Sequence, residues 1–308
     1  MSLFEARENF RQGKIGKPEY IDCMQGHHAQ LLEYSRFIKD TDICSIDIRD
    51  GLVIMTCRSS QVKMGCPIND RRTAPFEILN FGSYEKAELG MALKLIEPDQ
   101  TVVDVGANVG WFSLNIAKRY PHSQILAFEP VPNTFDLLKK NIKLNGMDSI
   151  QTFRLALSSQ NGEAILYMKA EDSANASTIN LNVGQEVQKA TCTMRQLDEL
   201  VKENGWKVDF IKCDVEGGEL MVLDGALDSI DRFKPIIWAE MLRKWSACFG
   251  YHPNQIIEML NELGYRCFTV NGANLQEFCH MDEDTLETNF FFLNRIKHAS
   301  KIRSLVGP

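Results

Sequence analysis

From residue 83 onward, short unbroken apolar runs alternate with stretches of helical periodicity. The runs are TVVDV (101–105), QILAFEP (124–130), QTFRLAL (151–157), VDFIKCDV (208–215), PIIWAE (235–240), YRCFTV (265–270) and NFFFLN (289–294). Runs apolar at successive rather than alternate positions mark strands buried on both faces. The stretches between them predict helices over 84–98, 109–120, 132–146, 197–204, 218–230 and 252–264. Proline and glycine set the ends. Pro98 stops the first helix, Pro132 opens the third at its first turn, and Gly146 and Gly264 close the third and the last. This alternation predicts a doubly wound α/β fold: a mostly parallel sheet, helices on both faces, and a C-terminal hairpin.

The first 82 residues follow another rhythm and are read as an N-terminal helix-and-hairpin extension to a domain over 83–308. Apolar residues near helical spacing predict a helix over 20–39, interrupted at Gly26. In SIDIRDGLVIMTCR (45–58), Ile46 and Ile48 alternate with Asp47 and Arg49 before the turn pair Asp50-Gly51, which predicts a hairpin. Residues 58–82 read as irregular connection. The polar segment 158–195 holds two extra strands, over 163–169 and 188–194. Met1–Leu3 receives no structural meaning.

Composition narrows the partners. A net charge of −7 weighs against nucleic acid and anionic membranes, whose contacts need a basic excess. No apolar run approaches the ~20 residues of a membrane span. Nine cysteines, an odd number without CxxC spacing, read as free thiols of a reducing compartment, and the expected location is the cytoplasm. No Cys/His spacing fits zinc.

In a doubly wound sheet ligands lie beyond the carboxyl ends of the strands, so the strand ends carry the candidate chemistry. The first strand ends in DVGANVG. Gly106 removes the Cβ where a ligand would approach, and Gly110 lets the helix pack close. Neither a phosphate loop nor GxGxxG is present, because Asn108 stands where the second glycine of a dinucleotide fingerprint belongs. The second strand ends in FEP, and Glu129 there suits the two hydroxyls of a ribose. Adenosine binding without a pyrophosphate site is the implied combination. The fourth strand ends in CDVEGGE. Asp214 and Glu216, two apart, point to one side, with Glu219 placed to cap the following helix. Glu240 ends the fifth strand beside them. These carboxylates are candidate bases, with His252 a fourth candidate that reads better as a helix cap before Pro253. No metal is expected; a hard cation on Asp214, Glu216 and Glu240 is the minor alternative. Trp238, Trp245, Phe249 and Tyr251 suit either sugar stacking or the core.

VVDVGANVGWFSLNIA, ILAFEPVPNTFDLLKKNIKLN, DFIKCDVEGGELMVLDGA and IIWAEM together resemble the FkbM-type family of S-adenosylmethionine-dependent methyltransferases, over about residues 83–294. The resemblance implies a class I methyltransferase sheet of seven strands with the last antiparallel. It implies S-adenosylmethionine as cofactor and a small-molecule hydroxyl acceptor, a sugar or secondary metabolite. On this chain it places Asp104, Gly106, Ala107 and Asn108 along the methionine side of the cofactor, and Glu129 with Pro130 at the ribose. Ala156 and Leu157 would flank the adenine, Asp214 would lie near the amino group and sulfonium, and Glu85 would cover the site. Glu216 or Glu240 then serves as the base. Two rival readings stay open: an NAD(P)-dependent oxidoreductase, disfavoured by Asn108, and a non-catalytic cofactor-binding partner protein. Residues 1–82 are placed to shape the acceptor pocket or a homodimer contact.

Overall fold

The computed structural model describes residues 1–67, 71–169, 172–181, 184 and 186–306. The chain opens with two helices, α1 (Leu3–Arg11) and α2 (Lys17–Phe37). Ser2 closes a capping box with Glu5 at the start of α1, so the first residues do have a structural part, contrary to expectation. The helix expected over 20–39 runs through Gly26 without a break. The hairpin forms as β1 (Ile43–Arg49) and β2 (Leu52–Cys57), with Asp50 and Gly51 at φ 52° and 75°, the left-handed pair that a tight hairpin turn requires.

The supposedly irregular stretch 58–82 holds β3 (Lys63–Cys66) and α3 (Ala74–Phe81), while its residues 68–70 lie outside the described residues. A four-residue strand after a turn is too short for periodicity to reveal. β3 is the edge of this small sheet, and α6 (Pro132–Asn145) takes up its free groups. Asn141 accepts the Gly65 N–H at 2.8 Å, and Asn145 bonds both the N–H and the carbonyl of Lys63. The Asn141 amide also donates to the Val109 carbonyl at 2.8 Å, which ties the N-terminal sheet to the glycine turn.

The strand–helix alternation appears as predicted: α4 (Lys86–Leu95), β4 (Thr101–Val105), α5 (Trp111–Arg119), β5 (Gln124–Phe128), α6, and β6 (Ile150–Phe153). A second small sheet follows, built from β7 (Ala156–Leu157), β8 (Gly162–Lys169), β9 (Asp172–Ser177) and β10 (Gln188–Arg195). Its β8 and β10 are the two extra strands expected in the polar segment. Then come α7 (Leu197–Asn204), β11 (Phe210–Cys213), α8 (Glu219–Asp224), α9 (Leu227–Phe233), β12 (Ile236–Glu240), α10 (Arg243–Cys248), α11 (Asn254–Glu262), β13 (Tyr265–Asn271), β14 (Asn274–Phe278), β15 (Asn289–Asn294) and α12 (Ala299–Leu305). The helix expected over 218–230 is two helices. They break at Gly225, where a Cβ would stand 2.1 Å from the Ser158 carbonyl oxygen.

The main sheet runs β14-β13-β15-β12-β11-β4-β5-β6. The pairs from β6 to β12 are parallel, and β15 lies antiparallel between β12 and β13. The doubly wound α/β fold is as expected, but the sheet carries eight strands rather than seven. β14 is the addition; its NLQEF sequence is half exposed at the edge and lacks an apolar run. The hairpin partner of β13 is therefore β14, and β15 returns to pair inside it. Two apolar clusters flank the sheet, one of them drawing Ile43, Met55 and Met64 from the N-terminal sheet into the same core as Leu95, Leu114 and Leu138. No helix among the described residues is long and apolar enough to cross a membrane.

Candidate active site

A cavity opens at the carboxyl ends of β4, β5, β11 and β12, where the doubly wound topology concentrates ligand contacts. Its floor is the turn after β4. Gly106 adopts φ 77°, and a Cβ there would stand 1.8 Å from the Asp214 carbonyl oxygen, so only glycine lets the ends of β4 and β11 approach this closely. The N–H groups of Gly106 and Ala107 both donate to the Phe128 carbonyl. Asn108, at φ 48°, accepts the Val109 N–H on its own side chain, which suits it to a left-handed position without glycine.

Glu129 is buried at the end of β5, and its two oxygens accept different backbone N–H groups, Asn108 at 2.9 Å and Val131 at 2.8 Å. A carboxylate has about four acceptor positions, so each oxygen keeps one for a ligand. Burial pushes this carboxyl up to about 7 against the lowering effect of those N–H bonds.

The opposite wall is acidic around one lysine. Lys212 lies inside β11 among fully buried neighbours, and its Nζ is 2.8 Å from Asp214 Oδ2. Burial works to lower the ammonium pKa, but the charges of Asp214, Asp104 and Glu85 raise it well above the ordinary value. For Asp214 burial pushes up, while Lys212 and hydrogen bonds from Lys212 and Glu240 carry it below the ordinary carboxylate range. Glu240 is driven well above it by burial, by the Asp214 charge and by that shared bond. The two carboxyls thus shift in opposite directions and share a hydrogen bond. Glu216, at φ 54°, joins them, and oxygens of Asp214, Glu216 and Glu240 all lie within 4.8 Å of one another. Such a set could hold a hard cation, while Lys212 already brings a positive charge to Asp214.

Glu219 holds the loop that presents these groups. One oxygen accepts the N–H groups of Val215 and Gly217, and the Tyr251 hydroxyl meets the other at 3.2 Å. Glu85, left-handed at the start of α4, is half-buried in the cavity wall and pushed by desolvation up to about 7.

The cavity brings together most of the residues singled out from sequence: Gly106, Ala107, Asn108, Glu129 and Pro130 on one side, Ala156 and Leu157 near β7, and Glu85, Asp214, Glu216 and Glu240 opposite. Two fall outside its lining. Asp104 is fully buried behind it, receiving the Ser113 hydroxyl at 2.6 Å on one oxygen, while its Oδ1 lacks a hydrogen-bond partner among the described residues. His252 is exposed away from the cavity and accepts the Asn254 N–H on Nδ1, a local turn contact that corrects its place among the candidate bases. Of the four aromatic candidates, Phe249 reaches the cavity, whereas Trp238 is core, ring against Phe112 and Phe291. Lys212 was not singled out from sequence, although a lysine inside an apolar run two residues before an aspartate carries that signal. Arg72 and Glu77, ion-paired at 3.4 Å, bring the N-terminal residues to the cavity as well.

The methyltransferase FkbM domain family matches residues 104–267, over half of the chain. Methyltransferase 1 of Beauveria bassiana is 32% identical over 150 residues, covering 42% of this chain and 59% of that protein. Hexuronic acid methyltransferase AglP of Haloferax volcanii is 30% identical over 154 residues, covering 50% of this chain and 61% of that protein. The chain thus spans less than two thirds of the length of these relatives. Among solved structures, methyltransferase FkbM of Methylobacillus flagellatus is 16% identical at a TM-score of 0.43, covering 71% of this chain and 53% of that one. The matched residues run from Asp104 through the glycine turn, Glu129 and the Asp214–Glu240 wall, and the chain belongs to the FkbM methyltransferase family.

Proposed function

We propose that the chain transfers a methyl group from S-adenosylmethionine to a hydroxyl oxygen of a small molecule, a sugar or a secondary metabolite. The observation that carries this reading is Glu129. Each of its oxygens is anchored by one backbone N–H and keeps an acceptor position toward the cavity, which suits the two hydroxyls of a ribose. Gly106 and Ala107 line the cavity with little or no side chain where the rest of the cofactor would lie, and Ala156 and Leu157 offer apolar surface for a base. When bound, the sulfonium supplies a methyl group already activated for in-line displacement.

The protein's part is alignment and proton handling. Asp214, held below the ordinary carboxylate range by the Lys212 ammonium, suits the positive charges of the cofactor. Burial and the Asp214 charge drive Glu240 well above the ordinary carboxylate range, which favours Glu216 as the base that receives the acceptor's proton. Trp111 lines the cavity with a buried indole N–H that has no partner among the described residues, a donor suited to a hydroxylated acceptor. A relative named for a hexuronic acid supports a sugar as acceptor.

Calorimetry with S-adenosylmethionine tests the core of this reading. We expect binding by the parent chain and a loss of about tenfold or more in Glu129→Ala, in line with hydrogen bonds to a charged group. Absence of binding by the parent would overturn it. In a methyl-transfer assay, Glu216→Gln and Glu240→Gln both at full turnover would remove the base assignment.

A further inference from the structure

We propose that Lys212, although it reaches the cavity lining, is a positioning residue of the cofactor site that acts on the bound cofactor through Asp214. The inference rests on the cofactor reading above. Lys212 faces the same side of β11 as Asp214, two residues on, which brings its ammonium to 2.8 Å from the carboxylate. In the sheet it stands beside Asp104 on β4 and Trp238 on β12, and the ammonium lies 6.0 Å from the Trp238 ring centre. The flanking Phe210, Ile211 and Cys213 are fully buried. A charge here is desolvated, a penalty that an apolar residue of similar volume avoids. What the lysine provides in exchange is a fixed Asp214. The carboxylate is bonded to both the ammonium and Glu240, which limits the orientations it can present to the cavity.

Asp214 is the narrow point of this arrangement, so a double-mutant cycle isolates the coupling. Calorimetry would measure S-adenosylhomocysteine and adenosine against the parent, Lys212→Met, Lys212→Arg, Asp214→Asn and the double variant Lys212→Met/Asp214→Asn. Asp214→Asn and Lys212→Met are each expected to weaken S-adenosylhomocysteine about tenfold. The double variant should be no weaker than the weaker single, within about threefold. Lys212→Arg should recover most of the loss. Adenosine, which lacks the amino acid part, should bind all five proteins alike, while Lys212→Met should melt cooperatively but below the parent, because it leaves the Asp214 carboxylate without its cation.

A double variant weaker by the product of the two singles would mean that Lys212 touches the ligand itself and would overturn the inference. A parallel loss for adenosine would make its part merely structural, with the same result. Failure of the parent to bind either probe would overturn the cofactor reading, and the inference with it. Parent binding together with an unaffected Lys212→Met would sink the inference alone.

Discussion

Burial pushes the Glu129 carboxyl up to about 7, while a ribose asks it to be ionised. In the unliganded chain its folded value stands above the ordinary 4.5. Its contribution to stability is then present below about 4.5 and lost as pH rises through about 7. Ligand binding runs the other way. Two hydroxyl donors favour the carboxylate, so affinity should rise with pH as Glu129 ionises. From pH 6 to pH 8 the ionised fraction of a group near 7 grows about tenfold, and the affinity for S-adenosylhomocysteine should tighten by a similar factor. Glu85 and Glu219 are pushed to the same range, so Glu129→Gln is the control. Its pH profile should be nearly flat, and a slope as steep as the parent's would move the effect to another carboxyl. At this scale the sequence was informative where an acid ends a strand, because topology alone carries such residues to the cavity. Lys212 shows in the sequence only as a lysine inside an apolar run, and its part depends on which charges fold around it. At His252 the cap-like reading was the better of the two, since its ring accepts the Asn254 N–H at the start of α11.

Among the elements, α6 does more than cover the sheet. Edge strands leave backbone groups open, and Asn141 and Asn145 fill those of β3 from a helix face. Asn141 is 1% exposed and spans Gly65 and Val109, so Asn141→Leu would strand a buried donor and a buried acceptor together. At about 1–3 kcal/mol for each unsatisfied group, a loss of about 2–6 kcal/mol is expected in urea unfolding. Val109 belongs to the glycine turn, so affinity for S-adenosylhomocysteine should fall as well. A stability change under about 0.5 kcal/mol, the size of an ordinary surface substitution, would mean that other groups satisfy these atoms. None of this was legible beforehand. Most strands and helices of 83–271 were, because buried parallel strands write themselves as apolar runs, but β9, α10 and the break between α8 and α9 were not. An asparagine on a helix reads as solvent-facing until the partner edge is placed. For the same reason β3 and β14, short and half polar, escaped notice, and β14 added an eighth strand to the sheet.

For the whole molecule, we propose that the boundary between an appended part and the catalytic body lies near residue 40 rather than at 82. None of the 21 residues of α2 is buried, and Ile21, Leu31, Leu32, Tyr34 and Phe37 are largely exposed. Residues 43–79 behave otherwise. Ile43, Met55, Val62, Met64, Ile78 and Leu79 are buried in the cluster that includes Leu95 and Leu114. At about 2 kcal/mol for each fully buried aliphatic side chain, these six contribute roughly 12 kcal/mol of gross burial, as large as the net stability of a typical domain. Arg72, Ala74 and Glu77 also line the cavity. Removing residues 1–37 should therefore leave a cooperatively melting protein that binds S-adenosylhomocysteine with parental affinity, because neither the core nor the cavity loses a wall. Removing residues 1–82 should abolish the cooperative transition, or leave a chain that aggregates and does not bind. A soluble 83–308 fragment that melts cooperatively and binds like the parent would put the boundary back at 82, and would show that the shared apolar cluster is a contact between two separately stable units.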